Sequence, residues 1–195
     1  EKLFELAKSV CNEANKYFLE IFSNVRPQII KIKDASHPVY NFDLEIDSFI
    51  RKKLSTTKIQ IISEENFKGE LLDNIFWLVD PVDGSKEICK KKNLTINISL
   101  IQNGFPLFGV INDIFNSIQY CGLSKYSNYN LVYLSGLVDN KKLKVLTSKL
   151  HKNQDDKKFM TINKFKSSTN ISSSMKLVNI SNSKFDIYSR FEGSS

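Results

Sequence analysis

Apolar residues recur near the start of the chain at Leu3, Leu6, Ala7, Val10, Ala14, Tyr17, Phe18 and Ile21. This is the spacing of one helix face, and Arg26-Pro27 ends the run, so residues 1–23 are expected to form an amphipathic helix. "QIIKIK" alternates and predicts a strand, Asp34–Pro38 a loop, and a helix follows near Asn41 with Leu44, Ile46, Phe49, Ile50 and Leu54 apolar. "KIQIISEEN" predicts a short strand closing on two glutamates. "IFWLVDP" is a near-continuous apolar strand of the kind buried on both faces. Residues 94–122 predict two or three antiparallel strands, with turns at Asn103-Gly104 and near Asn116. Beyond a polar connection at 124–142, "LKVLTS" predicts a strand and "KLHKNQDDKKFM" a helix. "SSSMKLVNIS" predicts a helix behind a serine cap, and "KFDIYSRF" a last strand.

Helices alternating with strands give an α/β (α+β) class with mixed sheets. The composition shift at the polar connection divides the chain into an N-terminal α+β domain at 1–123, the connection at 124–142 and a partial C-terminal α/β domain at 143–195. The chain stops at "FEGSS", just after a strand with nothing to cover it, so an incomplete C-terminal part is expected.

The 195 residues carry 28 basic and 21 acidic side chains, a net charge of +7. Only three of the basic residues are arginine, the residue that phosphate and base recognition favours for its planar fork. A nucleic-acid polymer is therefore not the expected partner, whereas a small anionic substrate is compatible with the positive balance. No apolar run approaches the roughly 20 residues that a membrane-crossing helix needs. Cys11, Cys89 and Cys121 are odd in number, widely spaced and without a CxxC motif. They read as reduced thiols of a cytoplasmic protein and offer no zinc site.

Candidate chemistry lies in the carboxylates. Glu64 and Glu65 follow "QIIS", and Asp80 and Asp83 follow "FWLV", so acidic side chains end two apolar strands. Strand ends are where the loops of an α/β sheet gather around ligands. Carboxylate oxygens, with a backbone carbonyl such as that of Val82, suit Mg²⁺. Pro81 and Gly84 are turn residues that can aim both aspartates at one point. Gly84-Ser85-Lys86-Glu87 reads as a helix start whose N–H groups can hold a phosphate oxygen. Cations beside an anion cradle suit metal-assisted hydrolysis of a phosphate ester. Taken alone, "DPVDG" is equally readable as a solvated turn, Ser85 as a simple cap, and "SEE" as a solvated face.

Three segments together, "IISEE" (61–65), "WLVDPVDGSKEI" (77–88) and "LTINISLIQNGFPLFGVI" (94–111), resemble the inositol monophosphatase superfamily of Mg²⁺-dependent, lithium-sensitive phosphatases. Within it, Lys86-Glu87 resembles the 3′(2′),5′-bisphosphate nucleotidases of the CysQ type. "HPVYNFD" (37–43), "SKLH" (148–151), "SSSMK" (172–176) and "YSRF" (188–191) match that subfamily in order. The resemblance implies a layered αβαβα sandwich of the inositol monophosphatase/fructose-1,6-bisphosphatase type. It also implies Mg²⁺ held by Glu64, Asp80, the Val82 carbonyl and Asp83, with Asp43 and Ser85 activating the attacking water. Gly84 and Ser85 would hold the scissile phosphate through their N–H groups, and His151 and Lys176 would contact the nucleotide. Two positions depart from the pattern: Ser85 stands where the family has threonine, and Ser172 where it has glycine. The family's "W-D-x-A-A-G" motif, whose aspartate is a further ligand, is not within the chain.

The expected activity is hydrolysis of 3′-phosphoadenosine 5′-phosphate to AMP and phosphate by a cytoplasmic monomer or homodimer. The alternatives are an inositol or related sugar phosphatase, and a non-catalytic homologue that binds a nucleotide or a partner.

Overall fold

A computed structural model describes residues 1–32, 38–66, 69, 73–124, 143–148 and 154–189. It divides into two compact units, Glu1–Tyr126 and Ser127–Ser195.

In the first unit, helix α1 (Lys2–Asn24) and helix α2 (Asn41–Leu54) pack on a five-stranded sheet. Its strands are β3 (Gln60–Ser63), β4 (Ile75–Asp83), β5 (Thr95–Gln102), β6 (Phe105–Asp113) and β7 (Ile118–Leu123), lying side by side in that order. Only β3–β4 is parallel; the other pairs are antiparallel. A two-stranded ribbon of β1 (Ile29–Ile32) and β2 (Pro38–Tyr40) leads into α2.

The helix spacing read from the sequence buries Ala7, Val10, Ala14 and Phe18 of α1 and Ile46, Ile50 and Leu54 of α2, and Phe42 is buried beside them. They meet Trp77, Val79, Ile96, Ile98 and Leu100 of the sheet in one core. Phe18 anchors an aromatic group, its ring centroid 5.3 Å from Phe42 and 6.1 Å from Phe115. Polar side chains fix how α1 lies on the sheet. The Asn15 amide donates to the Ile114 carbonyl at 3.3 Å, and the Asn112 amide donates to Asn12 Oδ1 at 2.9 Å.

In the second unit, β8 (Val145–Ser148) is the middle of a three-stranded parallel sheet, between β10 (Ile187–Ser189) and β9 (Ser168–Ile171). Helices α3 (Gln154–Ile162) and α4 (Met175–Ser181) connect these strands.

Several expectations need correction. Pro38 opens a short strand rather than closing a loop, because β2 finds a partner in β1. Strand β4 is not buried on both faces: Trp77 and Val79 face the helices while Leu78 is 44% exposed. The strand β9, "STNI", was not foreseen, because its polar residues carry no apolar alternation; pairing with β8 makes it a strand. The last strand starts only at Ile187, since the chain still turns after α4, with the Lys184 and Phe185 N–H groups donating to the Asn179 carbonyl at 3.0 and 3.3 Å. The helix after Gly84 is a 3₁₀ helix, Ser85–Lys90. Residues 125–142 of the polar connection at 124–142, His151 and the end of "YSRF" lie outside the described residues.

Candidate active site

Strand β4 decides where the two aspartates point. Side chains alternate along a strand, so residues three apart face opposite sides of a sheet. Asp80, however, stands opposite Asn97 and Asp83 opposite Thr95, so three steps on β4 match two on β5. The extra residue is a bulge at Pro81-Val82, where proline has no N–H to give to the ladder. Asn97 and Thr95 are two apart and share a face, and the bulge brings Asp80 and Asp83 to that same face. Gly84 then turns the chain at φ +89°, a left-handed conformation that glycine adopts without strain. The Glu87 N–H closes the turn onto the Gly84 carbonyl at 2.8 Å. Ser85, half-buried, opens the 3₁₀ helix that follows.

The glutamates come from the turn after β3, the parallel neighbour of β4. Glu64 is exposed and Glu65 half-buried. The Glu64 N–H donates to the Val79 carbonyl at 3.1 Å, which ties the turn to β4 one residue before Asp80. Asp43 is buried in the first turn of α2, where its Oδ2 accepts the Tyr40 N–H at 2.6 Å.

Asp80 is affected by three of the other carboxylates. The Asp80 carboxyl is pushed well above the usual carboxylate range, first by burial, then by the charges of Asp83 and Glu64. A hydrogen bond with Glu64 and the charge of Asp43 add to the shift. Asp80 Oδ1 is buried with no hydrogen-bond partner among the described residues. An all-oxygen set with crowded negative charge and an unsatisfied carboxylate oxygen fits a hard divalent cation. As they stand, however, no three His, Cys, Asp or Glu side chains among the described residues are gathered as a coordination shell. Binding an ion would require the side chains to close in.

The remaining candidates are placed separately. Val82, within the bulge, is buried in the core. Lys176 lies on α4 in the second unit, its Nζ 5.6 Å from the centroid of the Tyr188 ring. Ser172 is buried, and its Oγ has no hydrogen-bond partner among the described residues. His151 lies outside the described residues.

Asp47 was absent from the sequence reading. It is fully buried on α2, one turn after Asp43, and receives the Ser63 hydroxyl on Oδ1. The Asn66 amide donates to its Oδ2 at 3.3 Å. Arg51 Nε lies 3.1 Å from the same oxygen, an ion pair whose N–H points off the hydrogen-bond line. The signal was present: Asp43 and Asp47 share the helix face of Phe42, Ile46 and Ile50, where an acid needs a partner.

Comparison with known proteins identifies the family and the fold. The model of the inositol monophosphatase family matches residues 1–194. The chain is 30% identical over 201 residues to a 3′(2′),5′-bisphosphate nucleotidase CysQ of Buchnera aphidicola subsp. Acyrthosiphon pisum (strain APS). That match covers 98% of this chain and 74% of the relative. Among solved structures, CysQ from Bacteroides thetaiotaomicron superposes with a TM-score of 0.73 at 23% identity, covering 98% of this chain and 80% of that one. The extragenic suppressor protein suhB from Bartonella henselae reaches 0.78 at 15% identity, covering 96% and 78%. The fold is thus the inositol monophosphatase type, and the chain belongs to the inositol monophosphatase family.

Proposed function

We propose that the protein is a Mg²⁺-dependent phosphatase that hydrolyses 3′-phosphoadenosine 5′-phosphate to AMP and phosphate. The observation that carries this reading is the bulge at Pro81-Val82, which turns Asp80 and Asp83 to one face within electrostatic reach of Glu64 and Asp43. The substrate class rests on Lys86-Glu87 and on likeness to a relative named for bisphosphate nucleotide hydrolysis.

Glu64, Asp80, Asp83 and the Val82 carbonyl would hold Mg²⁺, which when bound acidifies water and offsets charge on the phosphoryl oxygens. The Ser85 hydroxyl would orient the attacking water, and the Asp43 carboxylate would take up its proton. Backbone N–H groups of Gly84 and Ser85 would hold the phosphoryl oxygens. Water would add to phosphorus as the bond to the 3′ oxygen breaks, its proton passing to Asp43, and the departing 3′ oxygen would take a proton from solvent water, giving AMP and inorganic phosphate. Lys86, Lys90, Lys91 and Lys92 lie on or just beyond the 3₁₀ helix and would favour a doubly phosphorylated substrate through their field. His151 and Lys176 would contact the nucleotide. The odd, unpaired-motif cysteines favour a cytoplasmic setting.

The test is phosphate release from 3′-phosphoadenosine 5′-phosphate and from inositol 1-phosphate, with and without Mg²⁺ and with added lithium. Mg²⁺-dependent, lithium-inhibited turnover that prefers the nucleotide supports the assignment. Preference for inositol phosphate moves the substrate class, and no turnover of either compound rejects the enzyme reading.

A further inference from the structure

We infer that Asp47 is a positioning residue that sets the Glu64–Glu65 turn for cation binding; the inference rests on the phosphatase reading above. The turn runs from Ser63 to Asn66 and is closed by the Asn66 N–H donating to the Ser63 carbonyl at 3.3 Å. Asp47 holds both ends of it: Oδ1 receives the Ser63 hydroxyl immediately before Glu64, and Oδ2 receives the Asn66 amide immediately after Glu65. On the opposite side the Glu64 N–H is tied to the Val79 carbonyl, beside Asp80. The turn is therefore fixed between α2 and β4, and the glutamates extend from a backbone that cannot slide relative to Asp80.

A carboxylate at position 47 suits this role. Two donors, from Ser63 and Asn66, meet its two oxygens, and the Arg51 guanidinium charge lies beside the second of them. Asn of the same shape accepts at one oxygen only and presents an NH₂ group to donors at the other end. Asp47→Asn should thus release one end of the turn with little change in volume. Asp43 and Asp47, one helical turn apart, divide the work: the first stands among the site carboxylates, and the second acts through the turn that carries Glu64. Groups that orient ligands in this way typically change metal affinity by about 10–100-fold when replaced.

The test is calorimetric titration of the full chain with Mg²⁺ alone, well below the melting temperature, together with the Mg²⁺ dependence of turnover and the substrate KM. Wild type, Asp47→Asn, Ser63→Ala and Asn66→Ala are compared. The expected result is Mg²⁺ affinity weakened about tenfold or more in Asp47→Asn and by less in the other two, with KM at saturating Mg²⁺ near the wild-type value. Wild-type Mg²⁺ affinity in a folded Asp47→Asn protein, with only a lower melting temperature, overturns the inference and leaves the phosphatase reading standing. If Asp47→Asn does not fold, Ser63→Ala and Asn66→Ala decide: unchanged Mg²⁺ affinity in both overturns it. A wild-type chain that neither binds Mg²⁺ nor turns over overturns the phosphatase reading, and the inference with it.

Discussion

Asp80 sits in a setting that weakens the fold it belongs to. Its carboxyl is raised well above the usual range by burial and by Asp83, Glu64 and Asp43, so in the metal-free protein the folded state binds this proton more tightly than the unfolded state. The resulting stability is fully present below the ordinary carboxylate pKa and is lost as pH rises through the raised folded value. Replacing Asp80 with Asn should therefore raise the melting temperature of the metal-free protein at neutral pH and flatten its acid-side pH dependence. A melting curve no different from wild type would contradict the crowding. Asp83→Asn should abolish phosphate release if that carboxylate holds the cation, and near-normal release would remove it from the site. Ser85 keeps the hydroxyl of the family's threonine but not the methyl that restrains its rotamer. Ser85→Thr should retain or raise kcat, while Ser85→Ala should lower it by about 10²–10⁴-fold if the hydroxyl serves the proton transfer. Steady-state kinetics at saturating Mg²⁺ separates the two.

At the scale of elements, the link between β4 and its 3₁₀ helix depends on one backbone conformation. Gly84 has φ +89°, where a Cβ is strained by about 1–2 kcal/mol. Gly84→Ala should lower stability by about that amount in urea unfolding and reduce kcat as well, because Asp83 and Ser85 flank this left-handed position. Unchanged kcat would mean that the turn does not aim those residues. Helices α1 and α2 and strands β4 to β7 were legible because their apolar spacing is strong and their turns carry Asn-Gly or proline signals. Strand β9 was not legible, since "STNI" becomes a strand only through its neighbour β8. The exposed side of β4 was misread for a related reason. An apolar run such as "IFWLV" does not say whether layers pack on one face or two.

Across the molecule, the first unit is held by a single core in which α1 and α2 share one face of the sheet. Phe18 is fully buried among Phe22, Phe42 and Phe115. Truncating it should cost about 3–5 kcal/mol, and Phe18→Ala should shift the urea midpoint accordingly. A loss below about 1 kcal/mol would mean that the cluster collapses around the gap. Among the described residues, no helix is long and apolar enough to cross a membrane.

By itself the sequence determined the class of the fold and the family to which the chain belongs. Helical and strand periodicities are local, and carboxylates at strand ends make a hard cation the expected ligand. Only the tertiary structure decided how those carboxylates meet. Asp80 and Asp83 share a face because a bulge breaks the two-residue alternation, and a bulge exists only between paired strands. Asp47 could be read as an acid out of place on an apolar face, yet what it satisfies, Ser63 and Asn66, is brought to it by packing α2 against the end of β3. Sequence names the groups and local geometry, whereas register and the contacts between distant segments arise only when the chain is folded.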